Sequence, residues 1–119
     1  MESITLKEIK YYFDSIKNEV TFKKWLNKQE KDIRLLIRKR INRLSEGNYG
    51  DYKSISNGIL ELRFKQGFRI YFTEVNNTIV LLFCGGNKSS QKKDIERAKE
   101  YKAILDREGL DGCIENSSL

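Results

Sequence analysis

The chain has no histidine, which removes the usual general base near neutral pH and the commonest metal ligand. An enzyme built from it must work with lysine, arginine, tyrosine or carboxylates, and no metal or cofactor is expected. Proline is also absent, as are internal repeats and low-complexity tracts, so nothing divides the 119 residues into more than one domain. Cysteine is scarce: Cys84 lies in an apolar run and Cys113 in a polar C-terminal stretch, which argues against a disulfide and predicts one buried and one free thiol. No apolar run approaches the roughly 20 residues of a membrane span. The opening MESITLKEIK carries no apolar signal-peptide core. Together these absences predict a soluble, cytoplasmic protein with no membrane partner.

Acidic residues are in deficit. With 23 Lys and Arg against 17 Asp and Glu the net charge is +6, so a polyanionic partner is expected, with nucleic acid first and an acidic protein attracted equally well. The imbalance is concentrated. From Phe22 to Leu44 there are nine cations (Lys23, Lys24, Lys28, Lys31, Arg34, Arg38, Lys39, Arg40 and Arg43) against only Glu30 and Asp32. That is more than a solvated helix face needs, and it suits contact with a phosphate backbone or an acidic partner.

The stretch from Gly58 to Gln91 organises the rest. Three apolar-rich runs separated by turn residues predict an antiparallel meander. Alternation places Leu60, Leu62, Phe64, Phe68, Ile70 and Phe72 on a core face, and Glu61, Arg63, Lys65, Arg69, Tyr71 and Thr73 on a polar one. A three-residue Lys65-Gln66-Gly67 loop sets Arg63 directly opposite Arg69. Like charges facing across a strand pair are destabilising, so a compensating anion bound between them is expected, and the alternative is that both are solvated strand residues. A second turn on Asn76-Asn77 is predicted to set Val75 beside Thr78 and Arg69 beside Cys84. The third strand leaves through Gly85-Gly86 to Lys88, just before a helix that Ser89 or Ser90 can cap. Arg63, Arg69 and Lys88 are thereby expected to converge on one anion site, with an ordinary loop lysine as the plain alternative for Lys88.

Around this meander, Leu6–Phe13 reads as an outer strand. Thr21 is placed as the N-cap of a helix carrying Phe22, Trp25 and Leu26. A second helix shows Ile33, Leu36, Ile37, Ile41 and Leu44 at helical spacing and stops at Gly47. Residues 47–57 read as a turn-rich link bringing Lys53 towards the polar face, with a free surface lysine as the plain and favoured alternative. A last helix from Gln91 to about Arg107 turns Ile95, Ala98, Tyr101, Ile104 and Leu105 inward.

The series FKKWL (Phe22–Leu26), RKRINRLSEGNYGD (Arg38–Asp51), ELRF (Glu61–Phe64), GFRIYF (Gly67–Phe72) and IVLLFCGGNKSSQKKDIERAKEY (Ile79–Tyr101) closely resembles the addiction-module killer proteins. These form the HigB-like branch of the RelE/ParE toxin superfamily of type II toxin–antitoxin modules. The resemblance covers residues 8–105. It implies a RelE-like α+β fold, with two N-terminal helices packed on a twisted antiparallel sheet and a C-terminal helix, occupying 1–108; the short polar stretch 109–119 after it reads as a mobile tail. It further implies a metal-independent, ribosome-dependent mRNA endonuclease in which a ribose 2′-OH attacks the adjacent phosphate, with Arg63, Arg69 and Lys88 as catalytic residues. Lys53, Lys65, Tyr71, Lys31, Arg34, Arg38, Arg40 and Gln91 are then expected to touch RNA or the ribosome. The implied partners are a helix-turn-helix antitoxin, the ribosome and mRNA. Two other readings stay open: a ParE-type non-enzymatic gyrase inhibitor, and a decayed toxin that only binds its antitoxin. The sequence departs from the family pattern at Asn87, where GGDK has aspartate, and at KQGFR, which is shorter than the usual GPGYR-like turn and has Phe68 for Tyr.

Overall fold

The computed structural model describes residues 6–114. Its elements run β1 (Glu8–Tyr11), α1 (Thr21–Asn27), α2 (Lys31–Ser45), β2 (Tyr52–Ser56), β3 (Ile59–Arg63), β4 (Phe68–Val75), β5 (Ile79–Asn87) and α3 (Gln91–Glu108). The class is α+β, as expected, and the sheet has the order β1-β5-β4-β3-β2. It is mixed rather than antiparallel, because β1 runs parallel to β5 with Ile9 beside Val80. The turn-rich link also contains a strand: Tyr52–Ser56 pairs antiparallel with β3 and forms one edge. Its Lys-Ser-Ile-Ser alternation is too polar to announce itself, and pairing with β3 supplies what propensity does not.

Both faces of the sheet are covered. Phe22, Leu26, Ile37, Ile41 and Leu44 from α1 and α2 pack on Leu62, Phe64, Ile70 and Phe72 of the predicted core face, and on Val80 and Leu82 of β5. The face read as polar carries a second core, in which Ile59, Tyr71, Leu81, Phe83 and Cys84 lie under Ala98, Tyr101 and Leu105 of α3. Thr21 is correspondingly not an N-cap. It opens α1 as a buried residue, and its hydroxyl bonds Tyr101 at 2.6 Å, tying the two layers together.

The β3–β4 hairpin follows the sequence expectation. Gly67 takes φ +96°, and Leu62 faces Ile70 while Arg63 faces Arg69. The next hairpin does not. Asn76 and Asn77 do adopt positive φ, but Val75 pairs with Ile79, and a bulge between Tyr71 and Phe72 shifts the register again, so Arg69 faces Gly86 instead of Cys84. The bulge also puts the neighbours Phe83 and Cys84 into the same core, reversing the alternation beyond them. Gly85 therefore faces α1, where an added Cβ would lie 2.3 Å from the Trp25 ring, and Gly86 faces α3, where one would lie 1.9 Å from Asp94 Oδ2.

Past α3 the chain returns to the body. Cys113 is a free thiol, as expected, and so is Cys84, but Cys113 is buried as well; its carbonyl accepts from Phe13 N–H at 2.9 Å, and the packed region extends to Ile114. The remainder of the expected tail, 115–119, and the first five positions of the N-terminal segment lie outside the described residues.

Candidate functional site

The register brings Arg63 and Arg69 together on the α3 face of β3 and β4, and the anion between them is supplied by the protein. Glu61, two residues before Arg63 on the same strand face, is fully buried. Its Oε1 accepts from Arg63 Nε at 2.8 Å and Arg69 Nη1 at 3.2 Å. Its Oε2 accepts from Tyr71 Oη at 2.8 Å and from Gln91 Nε2, in the first turn of α3, at 2.9 Å. This corrects the expectation of an external anion: the cross-strand repulsion is answered from within, by a carboxylate with both oxygens occupied.

Burial alone pushes the Glu61 carboxyl up, but the bonds from Arg63, Tyr71 and Gln91 and the charge of Arg69 outweigh it and hold the group below its ordinary range. Burial, reinforced by the Glu61 carboxylate, pushes the Tyr71 phenol far up. Neither group is placed to take up or release a proton near neutral pH. Tyr71 and Gln91, expected to touch RNA, instead spend their donors on Glu61.

The two guanidinium groups differ in access. The Arg69 side chain is 15% exposed and its Nε is buried with no partner among the described residues, while Arg63 is 35% exposed and commits only Nε to Glu61. Arg63 is thus the member that presents charge outward. It lines a cleft of about 340 Å³ together with Leu36, Arg43, Lys65 and Gln66. Lys53 faces Glu61 across the β2–β3 pair and is exposed. Lys88 is exposed on the short 3-10 turn before α3 and has no hydrogen bond to the Glu61 cluster, so its convergence with the arginines is not through direct contact. The turn itself is capped by Asn87, while Ser90 takes the expected N-cap position of α3 without a side-chain cap bond there. The Asn87 Oδ1 accepts from Ser90 N–H at 3.1 Å and Ser89 Oγ at 2.6 Å. Such a cap needs only a side-chain oxygen, which Asn87 supplies.

The basic helical face sorts into two groups. Lys24, Lys28, Lys31, Arg38, Lys39 and Arg43 are exposed. Arg34 instead donates to the Gln29 carbonyl. Arg40 is built in more deeply: it donates to the carbonyls of Arg63 at 2.7 Å, Asp51 at 3.0 Å and Tyr49 at 3.3 Å, and lies 4.8 Å from the Phe64 ring centroid. Both were expected to touch RNA or the ribosome, and their guanidinium groups instead hold the fold, Arg40 by anchoring the end of β3 that carries Arg63.

Glu61 was overlooked by sequence reasoning because its face was taken as solvated. The usable signal was the spacing Glu61-Leu62-Arg63, which puts carboxylate and guanidinium side by side on one strand face, one step from the Arg63–Arg69 pair. The site is thus a cationic cluster organised by a buried carboxylate, on a mixed sheet enclosed by helices. The chain belongs to the phage-derived Gp49-like protein family (DUF891), whose model matches residues 24–103, from α1 into α3. It is also 49% identical over 88 residues to an uncharacterised protein of Haemophilus influenzae, a match covering 71% of this chain and 88% of that one. Among the described residues no helix is long and apolar enough to cross a membrane, and no group of carboxylates and cysteines is arranged to hold a metal ion.

Proposed function

We propose that this protein is the toxin of a type II toxin–antitoxin module, of the RelE/HigB kind, and that it cleaves mRNA on the ribosome without a metal. The observation that carries the reading is Arg63: a partly exposed guanidinium, oriented by a buried carboxylate and backed by a second arginine, beside a cleft with Arg43 and Lys65. A guanidinium fork matches phosphate geometry, and fixed cations stabilise the charge that develops as phosphorus becomes five-coordinate. In the reaction the ribose 2′-oxygen bonds to the adjacent phosphorus, the P–O5′ bond breaks, and the products are a 2′,3′-cyclic phosphate and a 5′-hydroxyl. The 2′-OH proton passes to water, and Lys88 donates to the departing 5′-oxygen and is recharged from solvent. Arg63 holds the phosphate. Arg69 and Glu61 hold Arg63, so Arg69 is a positioning residue here rather than one that touches substrate.

The exposed cations of α1 and α2, with Lys31 and Arg38 among them, contact ribosomal RNA without reading sequence. A helix-turn-helix antitoxin that covers this basic face excludes the toxin from the ribosome and leaves Arg69 uninvolved. Toeprinting of a translated mRNA with purified protein and ribosomes tests the reading: cuts in the A-site codon are expected, and they should vanish with Arg63→Ala. One observation favours a second reading, a ParE-type gyrase inhibitor that acts by protein contact: Glu61 and Tyr71 are both locked, so the cluster lacks a ready base. Inhibition of gyrase supercoiling with no toeprint would select it.

A further inference from the structure

A second cleft, of about 470 Å³, opens on the other side of the Gly85-Gly86 step, between α1 and the start of α3. Its composition is graded with depth. The exposed lining carries Lys17, Lys24 and Lys28, with the half-buried Glu19 beside them, and Arg97 adds a fourth cation, four positive groups against one carboxylate. Among these, only Lys24 is ion-paired among the described residues, to Glu19 at 3.7 Å. The buried lining carries the two glycines and Asp94, with the half-buried Trp25 against Gly85. Asp94 Oδ2 accepts from Ser90 Oγ at 2.6 Å, while Oδ1 accepts no hydrogen bond among the described residues and keeps contact with solvent.

This gradient selects the occupant. An acidic peptide satisfies the cations but brings a carboxylate towards Asp94. A basic one satisfies Asp94 and meets four like charges. The ligand that fits both ends is anionic at one end and a flat donor of N–H groups at the other. That is a nucleotide: phosphate at Lys24 and Lys28, base against the indole of Trp25, and adjacent ring and exocyclic N–H groups directed to Asp94. Guanine presents such a pair on its Watson–Crick edge and uracil does not.

We infer that the Trp25–Asp94 cleft is a subsite for one nucleotide of single-stranded RNA, with a preference for guanine over uracil. The inference rests on the RNA reading above, and its position, sharing Gly86 and Asn87 with the strand end that faces Arg69 and Phe68, suits a nucleotide flanking the one held at Arg63.

The test needs no cleavage. Trp25 is the only tryptophan, so a ¹⁵N-labelled sample of the full chain gives one indole N–H signal. Titration with guanosine 5′-monophosphate should move that signal saturably, and uridine 5′-monophosphate should bind about fivefold more weakly or worse, the lower end of what a paired hydrogen-bond contact discriminates. Lys28→Glu, at an exposed position, should weaken guanosine monophosphate about threefold or more while leaving guanosine unaffected. Asp94→Asn should abolish the guanine preference; if that variant does not fold, the Lys28 comparison and the two nucleotides on the unaltered protein still decide. An indole signal unmoved by guanosine monophosphate up to about 10 mM, equal affinity for both nucleotides, or displacement only by a glutamate-rich peptide overturns the inference. Binding without A-site cuts would instead sink the nuclease reading and leave the subsite standing.

Discussion

Replacing Glu61 with Gln isolates the charge that holds the candidate site together, because the two side chains have nearly the same shape. Glu61 is fully buried and accepts four hydrogen bonds, two of them from guanidinium groups. In Glu61→Gln the carbonyl oxygen can keep both arginine bonds, and the new amide can donate to the Tyr71 hydroxyl or a flipped Gln91, so the count of hydrogen bonds is largely recoverable. The charge is not. Removing one member of a buried ionic group costs about 3 to 5 kcal/mol, and the retained bonds place this change near ~3 kcal/mol. For a chain of this size that is a fall in Tm on the order of 10 °C. The pH dependence has a definite sign. The folded-state carboxyl lies below its unfolded value, so its stabilisation is fully present above an unfolded pKa of about 4.3 and is lost as pH falls through the folded value. The gap between wild type and Glu61→Gln, measured by urea denaturation, should therefore be widest near neutral pH and close in acid. Adding Arg69→Leu to Glu61→Gln should recover part of the loss, since each single change strands the other partner. A loss below about 1 kcal/mol at neutral pH, or a gap that stays constant into acid, would refute the idea that Glu61 neutralises the pair.

Arg69→Ala, which the bare cross-strand repulsion suggests is harmless to stability, should instead cost about 1.5 to 3 kcal/mol in chemical denaturation, because it removes a charged donor from a buried acceptor. Arg40→Ala should destabilise by a similar ~1.5 to 3 kcal/mol through loss of its three carbonyl contacts, whereas exposed Arg38→Ala should stay within about 0.5 kcal/mol and show its effect in salt-dependent ribosome pelleting. Gly86→Ala forces a methyl against Asp94 and Ser90 and should lower stability by roughly 1 to 3 kcal/mol, read from the thermal midpoint.

Local chemistry determined much of this protein from the sequence alone. The alternation of Leu60, Leu62 and Phe64 against Phe68, Ile70 and Phe72 settles one core face, and Gly67, free to take positive φ, settles the hairpin that sets Arg63 opposite Arg69. Both are properties of neighbouring residues, and neighbouring residues are what a sequence displays. The helices of the basic hairpin and α3 were legible for the same reason, through their apolar spacing. Tertiary structure decided the rest. Only the docking of α3 turned the face bearing Glu61, Tyr71 and Thr73 from solvated to buried, which converts a glutamate from a surface charge into the counter-ion of two arginines. The wider turn at Asn76-Asn77 and the bulge in β5 each moved Arg69 one place, from Cys84 to Gly86, since an extra residue in a strand leaves no mark in an apolar run. And nothing in a row of nine cations separates Arg40, which clasps three backbone carbonyls, from Arg38, which meets water: a charge can be counted along the chain, but its partner comes from a segment that only folding brings near.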